Sequence, residues 1–324
     1  MRAAVFSRRG PSAVLSVQEV PDLEPGPGEV RVKVAVSGVN PTDWKMRKAG
    51  ADLTWPHATP NQDGAGVIDA VGTGVSPDRI GERVWLTYAA WQRPWGTAAE
   101  QCVVPSEHAW TLPDNISFAQ GAGLPIPFLT AHYCLYADGP IAGLTVLVAG
   151  GAGAVGHAAI QLAKLGGARV ITTVSGPAKA AIAQTANPDL IVNYRDADAE
   201  QQIKAFAPEG VDRIVEVALT DNLALDLAVL KPFGSVVTYA NQPEDPAVPV
   251  RQLMFGNFNL RFVIMYFFGA AILDHAVGDV TKYLKAGNLV ALPEVHFTLE
   301  QTGAAHDAVE GNAVGKVLID IAEL

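Results

Sequence analysis

Four glycines, Gly150, Gly151, Gly153 and Gly156, stand between an apolar β-forming run at residues 146–149 and a segment, residues 155–165, whose apolar residues recur at helical spacing. At a strand-to-helix turn, missing side chains let the backbone come close to a pyrophosphate, and the first N–H groups of the helix face that anion with the positive end of the dipole. Holding a dinucleotide is the chemistry expected there. A second apolar run, residues 169–174, then ends in Ser175-Gly176 instead of the acidic residue that would bind a ribose 2′-hydroxyl and repel a 2′-phosphate. No Asp or Glu occurs from Gly139 to Pro188, and Lys179 lies just past Ser175. A hydroxyl and an ammonium suit a 2′-phosphate, so NADPH is expected over NADH.

The elements needed to position these residues are present. Glycine turns that bind nothing are common, but here strand, turn, helix and second strand follow in the order a dinucleotide fold requires. Further strands are expected at residues 190–193, 211–217, 235–239 and 260–265, with helices between them, the alternation of a doubly wound parallel sheet. The first 120 or so residues read instead as short strands and tight turns. Val30, Val32, Val34 and Val36 alternate with Arg31, Lys33, Ala35 and Ser37, as in a half-buried strand. Asn40 is placed to cap a short helix opened by Pro41 and stopped by Gly50. Trp85, Tyr88, Trp91 and Trp95 crowd one loop, which either packs as irregular core or lines an apolar pocket for a flat conjugated ring. The fold class is therefore α/β. Residues 1–122 form a β-rich domain, 123–267 the dinucleotide-binding domain, and 268–324 a segment that packs back on the first.

Composition narrows the partners. With 33 acidic against 23 basic residues the net charge is −10, which argues against nucleic acid and anionic membrane surfaces. The most apolar stretch, residues 262–273, is too short to span a bilayer, and Arg8 and Arg9 interrupt any signal-peptide core. A cytoplasmic protein is expected. Cys102 and Cys134 are far apart, which fits a reducing compartment and two small core residues.

Five stretches together resemble the medium-chain dehydrogenase/reductase superfamily, and within it the zinc-independent quinone oxidoreductases related to zeta-crystallin. They are Gly38-Val39-Asn40-Pro41-Thr42-Asp43-Trp44, Gly64-Ala65-Gly66-Val67, Gly96-Thr97-Ala98-Ala99-Glu100, the glycine turn at residues 149–156, and Gly315-Lys316-Val317. The resemblance implies a GroES-like catalytic domain, a Rossmann domain, NADPH in the cleft between them, and commonly a homodimer. Zinc relatives carry a cysteine ligand where this chain has Asn40, and a His-Glu pair where it has Gln62-Asp63, so no metal is expected. His57, His108, His132 and His157 are scattered in the sequence and read as supporting residues, not ligands.

Without a metal, hydride transfer from the nicotinamide asks the protein to bind, orient and desolvate. Acceptors already activated by conjugation, quinones or enones, fit that chemistry. The resemblance places the Asn40 side chain on the nicotinamide ribose or the substrate oxygen, and Asp43, Lys45 and Tyr88 are the proton-relay candidates. It further assigns Thr130, Ala152, Gly153, Ala154, Val155, Tyr194, Tyr239, Ala240, Phe267, Phe268 and Lys316 to the cofactor, beside Ser175 and Lys179. Enoyl-thioester reductases of the superfamily carry a tyrosine before a proline after the short helix. Here Gly50-Ala51-Asp52-Leu53 stands there, which speaks against a fatty-acyl thioester. A binding protein that keeps the NADPH site without turnover is the other class of function.

Overall fold

The computed structural model describes residues 1–324. In chain order, β1 (Arg2–Val5) and β2 (Ser16–Glu19) pair as an antiparallel ribbon. Then come β3 (Glu29–Gly38), α1 (Pro41–Lys48), β4 (Asp63–Val71), β5 (Arg83–Leu86), β6 (Gln101–Pro105), β7 (Ala109–Thr111), α2 (Phe118–Gly123) and α3 (Pro125–Tyr136). The α/β part runs β8 (Thr145–Val148), α4 (Ala154–Leu165), β9 (Arg169–Val174), α5 (Pro177–Thr185), β10 (Leu190–Asn193), α6 (Ala199–Phe206), β11 (Val211–Glu216), α7 (Leu219–Val229), β12 (Leu230–Thr238), α8 (Val250–Gly256) and β13 (Asn259–Phe262). The chain closes with α9 (Ala270–Lys285), β14 (Glu294–Thr298), α10 (Thr302–Glu310) and β15 (Lys316–Asp320).

Two compact units result, one from Met1–Ile126 with Val277–Leu324 and the other from Pro127–Ala276. The boundaries expected from the sequence, after residues 122 and 267, precede these by 4 and 9 residues. In the first unit, a seven-stranded sheet runs β14-β15-β3-β4-β5-β7, with β6 pairing the first half of β3. Val30, Val32 and Val34 point into an apolar core with Ile68, Val84, Leu86, Cys102 and Val104, so the alternation holds in the first half of β3, whereas Ala35 and Ser37, expected on the outer face, are buried with Val36. The last strand, β15, pairs antiparallel with the end of β3, and this places Lys316 beside the start of α1.

The second unit is a six-stranded parallel sheet of order β10-β9-β8-β11-β12-β13, with helices supplying the crossovers. The apolar runs read as strands pack through Leu147, Ile171, Ile214 and Val236 against Ile203, Leu223 and Leu227 of the helices. Strand order reverses between β8 and β11, which opens a crevice at their carboxyl ends. The sixth strand is shorter than its apolar run suggests. Phe262 pairs with Thr238, the last residue of β12, so the ladder has no partner beyond that point and the chain turns through a 3₁₀ turn at Met265–Phe267. No helix is long and apolar enough to cross a membrane. Cys102 and Cys134 are buried free thiols.

Candidate functional site

In the parallel-sheet unit the glycine turn is dictated by close approach. A side chain at Gly156 would place its Cβ 2.3 Å from the Gly150 carbonyl oxygen, and Gly150 itself has φ +69°. The turn ends at Gly153, the N-cap of α4, which offers no side-chain cap, so helix geometry leaves the N–H groups of Ala154 and Val155 without an internal partner. Ala152 is buried in the turn while Gly153 is exposed at its tip. An anionic pyrophosphate fits this cradle.

The other residues assigned to the cofactor are distributed along the same carboxyl edge. Ser175 follows β9, Tyr194 follows β10, and Tyr239 and Ala240 follow β12. Lys179 is exposed in the first turn of α5, which contains no acidic residue. Thr130 is buried on α3 with its hydroxyl 3.5 Å from the Met265 sulfur. Phe268 packs on Tyr133, ring centroids 4.4 Å apart, whereas Phe267 is 73% exposed.

In the β-rich unit Asn40 anchors a buried polar cluster. The expected cap is made reciprocally, as a capping box: Asp43 Oδ2 accepts the Asn40 N–H at 2.7 Å, and the Asn40 side chain faces the Asp43 N–H. Its Nδ2 donates to Asp63 Oδ2 (2.7 Å), and its Oδ1 accepts from the Lys316 ammonium (2.8 Å). Asp63 also accepts from the Thr87 hydroxyl (2.6 Å) and the Ile126 N–H (2.9 Å), and Lys316 donates to the Val39 carbonyl (3.1 Å). The Lys316 ammonium is thus buried and engaged inside this unit.

Burial sets the protonation states. It pushes the Asp43 carboxyl up to about 8, with the Asp63 charge adding to it. Asp63 is pushed only to about 6, because Lys316, Thr87, Ile126 and Asn40 hold its charge. Burial lowers the Lys316 ammonium against the pull of both carboxyls. At neutral pH Asp43 therefore keeps its proton while Asp63 is ionised.

Tyr88 is buried with φ +64°, a conformation that β-carbon sterics disfavour, and its ring meets His108 edge-on at 4.9 Å. Burial raises its phenol further, so it remains protonated. The aromatic loop splits between its two expected roles. Trp85 is core against Trp110 and Trp95 packs beside Val5, whereas Trp91 lines a cavity of about 410 Å³ together with Trp55, Asp43 and Gln62. Lys45 lies over the Trp44 ring at 5.9 Å. Among the histidines, His157 bonds Thr185 and Gln161, but His132 does not stand apart. Its ring meets that of His275 at 4.8 Å, an approach that the sequence, read in order, does not reveal.

Residues 26–114 match the family model for the alcohol dehydrogenase GroES-like domain, and residues 154–277 that for zinc-binding dehydrogenase. The chain belongs to the medium-chain dehydrogenase/reductase superfamily. A synaptic vesicle membrane protein VAT-1 homolog of Rattus norvegicus is 32% identical over 74% of this chain, which spans only 59% of that relative's length. A quinone oxidoreductase of Homo sapiens is 28% identical over 98% of the chain and 97% of its own. Among solved structures of the superfamily, an NAD-dependent alcohol dehydrogenase covers 99% of this chain and is itself fully covered, at 28% identity and TM-score 0.88. A mycobacterial protein complexed with NADPH covers 98%, with 99% of it matched, at 26% and 0.86. At the positions where the resemblance puts the zinc relatives' ligands, the residues of this chain do not fit a zinc ion. Asn40, Gln62 and Asp63 supply neither thiolate nor imidazole, and a lysine ammonium already occupies the Asn40 oxygen.

Three residues that matter here carry no sequence signal as chemistry. Asp63 follows Gln62 at the mouth of a strand, and only the fold shows that it holds Lys316 and Asn40 together. Arg47 and Thr59, on α1 and the loop before β4, are buried, which neither their types nor their spacing signals.

Proposed function

We propose that this protein is a zinc-independent, NADPH-dependent reductase that passes a hydride to a quinone or similar conjugated carbonyl. The observation that carries the reading is Asp43, a buried carboxyl that holds its proton at neutral pH and lines a cavity walled by Trp55 and Trp91. When bound, NADPH supplies the hydride. The glycine turn and the first N–H groups of α4 hold the pyrophosphate, and Ser175 and Lys179 hold the 2′-phosphate with charge-assisted bonds. Tyr194 packs on the adenine. Thr130, Tyr239, Ala240, Phe267 and Phe268 serve the nicotinamide half.

In the β-rich unit, Asn40 is oriented by Asp63 and Lys316, and Tyr88 stays a neutral donor. Asp43 gives its proton to the acceptor oxygen as the hydride arrives, so one acceptor, one NADPH and one proton yield a hydroquinone and NADP⁺. Water then reprotonates the Asp43 carboxylate. Lys316, assigned by the resemblance to the cofactor, acts in this reading through Asn40. The competing enone reading shares all of these residues and differs only in acceptor. Following NADPH oxidation with menadione against an alkenal tests the assignment, with faster turnover of the quinone expected. Turnover of neither acceptor leaves only a nucleotide-binding protein.

A further inference from the structure

The same cavity contains more positive charge than hydride transfer to a neutral ring requires. Arg47 is 0% exposed, yet no carboxylate lies within ion-pair distance of its guanidinium. Its Nε meets His306 Nδ1 at 3.3 Å and its Nη1 donates to the Gly10 carbonyl at 2.5 Å. Its Nη2 has no partner. His306 cannot supply a counter-charge, since burial holds its imidazole neutral, down to about 3. The acids that feel Arg47 from α10 are committed elsewhere, Glu310 to Lys48 and Asp307 to the Ser12 hydroxyl.

Thr59 repeats the pattern. It is 1% exposed, and its hydroxyl has no partner. Both residues line the 410 Å³ cavity, which also meets Arg9 and Arg93 and has Asp43 as its sole acid. Arg93 is paired with Glu29, and Arg9 donates to backbone carbonyls of Met46 and Ala51. A buried cation without a counter-ion and a buried hydroxyl without a partner each leave a desolvation cost uncompensated. An anionic oxygen that reached either group from the cavity would satisfy it.

We propose that the acceptor is itself acidic: a flat conjugated carbonyl compound bearing a carboxylate, whose carboxylate is held by Arg47 Nη2 and Thr59 Oγ1 while its ring lies against Trp55 and Trp91. The volume suits a molecule of two or three fused rings. This inference rests on the reductase reading for the acceptor's chemistry but not for its charge. The two can therefore fail separately.

Rhein, an anthraquinone carboxylate, and aloe-emodin, its neutral hydroxymethyl counterpart, form the test pair. Calorimetric titration of the full-length protein, without cofactor, should show rhein binding about tenfold or more tighter than aloe-emodin, with the advantage shrinking as salt is raised. Arg47→Met should erase that advantage, and Thr59→Val should reduce it by about threefold. Should Arg47→Met fail to fold, Thr59→Val and competition by benzoate against rhein still decide the matter. Equal affinity for the two anthraquinones, or a rhein advantage unchanged in Thr59→Val and untouched by benzoate, overturns the proposal. So does a crystal soaked with rhein in which only a water bridges Nη2 and Oγ1. If rhein binds as expected but neither it nor any other quinone oxidises NADPH, the reductase reading fails and the anion site stands.

Discussion

Two carboxyls sit in one buried cluster of the β-rich unit, and their partners decide which of them is acidic. Asp63 is surrounded by donors and a lysine, whereas Asp43 has two backbone N–H groups and a negative neighbour. Because its folded value of about 8 lies above the ordinary 3.8, the native state binds the extra proton between those limits. The stabilisation is complete below about pH 4 and is lost as pH rises through about 8, with an upper bound of ~6 kcal/mol over the interval. Asp43→Asn should flatten that slope. It should also cost about 1–3 kcal/mol at pH ~6, because an amide NH₂ replaces one of the oxygens facing the Asn40 and Gln62 N–H groups. Urea unfolding at pH ~6 and ~9 measures both effects, and an unchanged pH slope in the variant would place the titrating group elsewhere. The same substitution should lower quinone turnover by about 10²–10⁴-fold while leaving NADPH affinity intact. A variant with normal turnover removes Asp43 from the proton path.

Lys179 poses the corresponding question for the cofactor. In an α5 first turn without acids, an exposed ammonium beside Ser175 should favour NADPH over NADH by about ten- to a hundredfold in kcat/KM. Lys179→Ala should remove most of that preference with little change in the NADH kinetics. Equal losses with both cofactors, or a wild-type preference for NADH, would show that the 2′-phosphate is read by other groups.

At the scale of elements, the parts that were legible are those whose signals are local. The glycine turn, the alternation in the first half of β3 and the apolar runs of the parallel sheet each impose their own geometry, and they reappear as β8–α4, a half-buried stretch of strand and a six-stranded sheet. Signals that depend on a partner were not legible. The apolar run after β12 stops being strand where β12 itself ends, and the Asn40 side chain also reaches Asp63 and Lys316, neither of which is near it in sequence. Burial of Arg47 is hidden for the same reason: α1 shows its charges at every turn, and only packing against α10 shows which of them is sealed in. A further case is Glu216 at the end of β11, which accepts the Val217 N–H at 2.8 Å and shares its burial with Asp226. Burial, with the Glu216 charge adding to it, pushes the Asp226 carboxyl up. No spacing rule joins a strand end to the middle of the following helix.

For the molecule as a whole, the outer edge of the parallel sheet carries the remaining question. Strand β13 pairs with β12 on one side, and its other side presents unpaired backbone groups. Native edges are usually guarded by lysine, proline or a bulge, but β13 reads Asn259-Leu260-Arg261-Phe262, and its only charge is drawn inward to Asp138. Around this edge Phe255 is 77% exposed and Phe262 68%, with Met254 and Ile264 exposed beside them. Phe258 packs against the core of its own unit. An apolar patch of this kind at an open edge favours a second copy of the same chain, with the two β13 strands as neighbours. We therefore expect a homodimer at micromolar concentration, with light scattering returning twice the 34.1 kDa chain mass. Phe262→Lys places a charge at the centre of the patch and should shift the mass to that of one chain without disturbing the glycine turn on β8, on the interior side of the sheet. A monomeric wild type, or a Phe262→Lys variant that remains dimeric, would assign the exposed aromatics to something other than self-association.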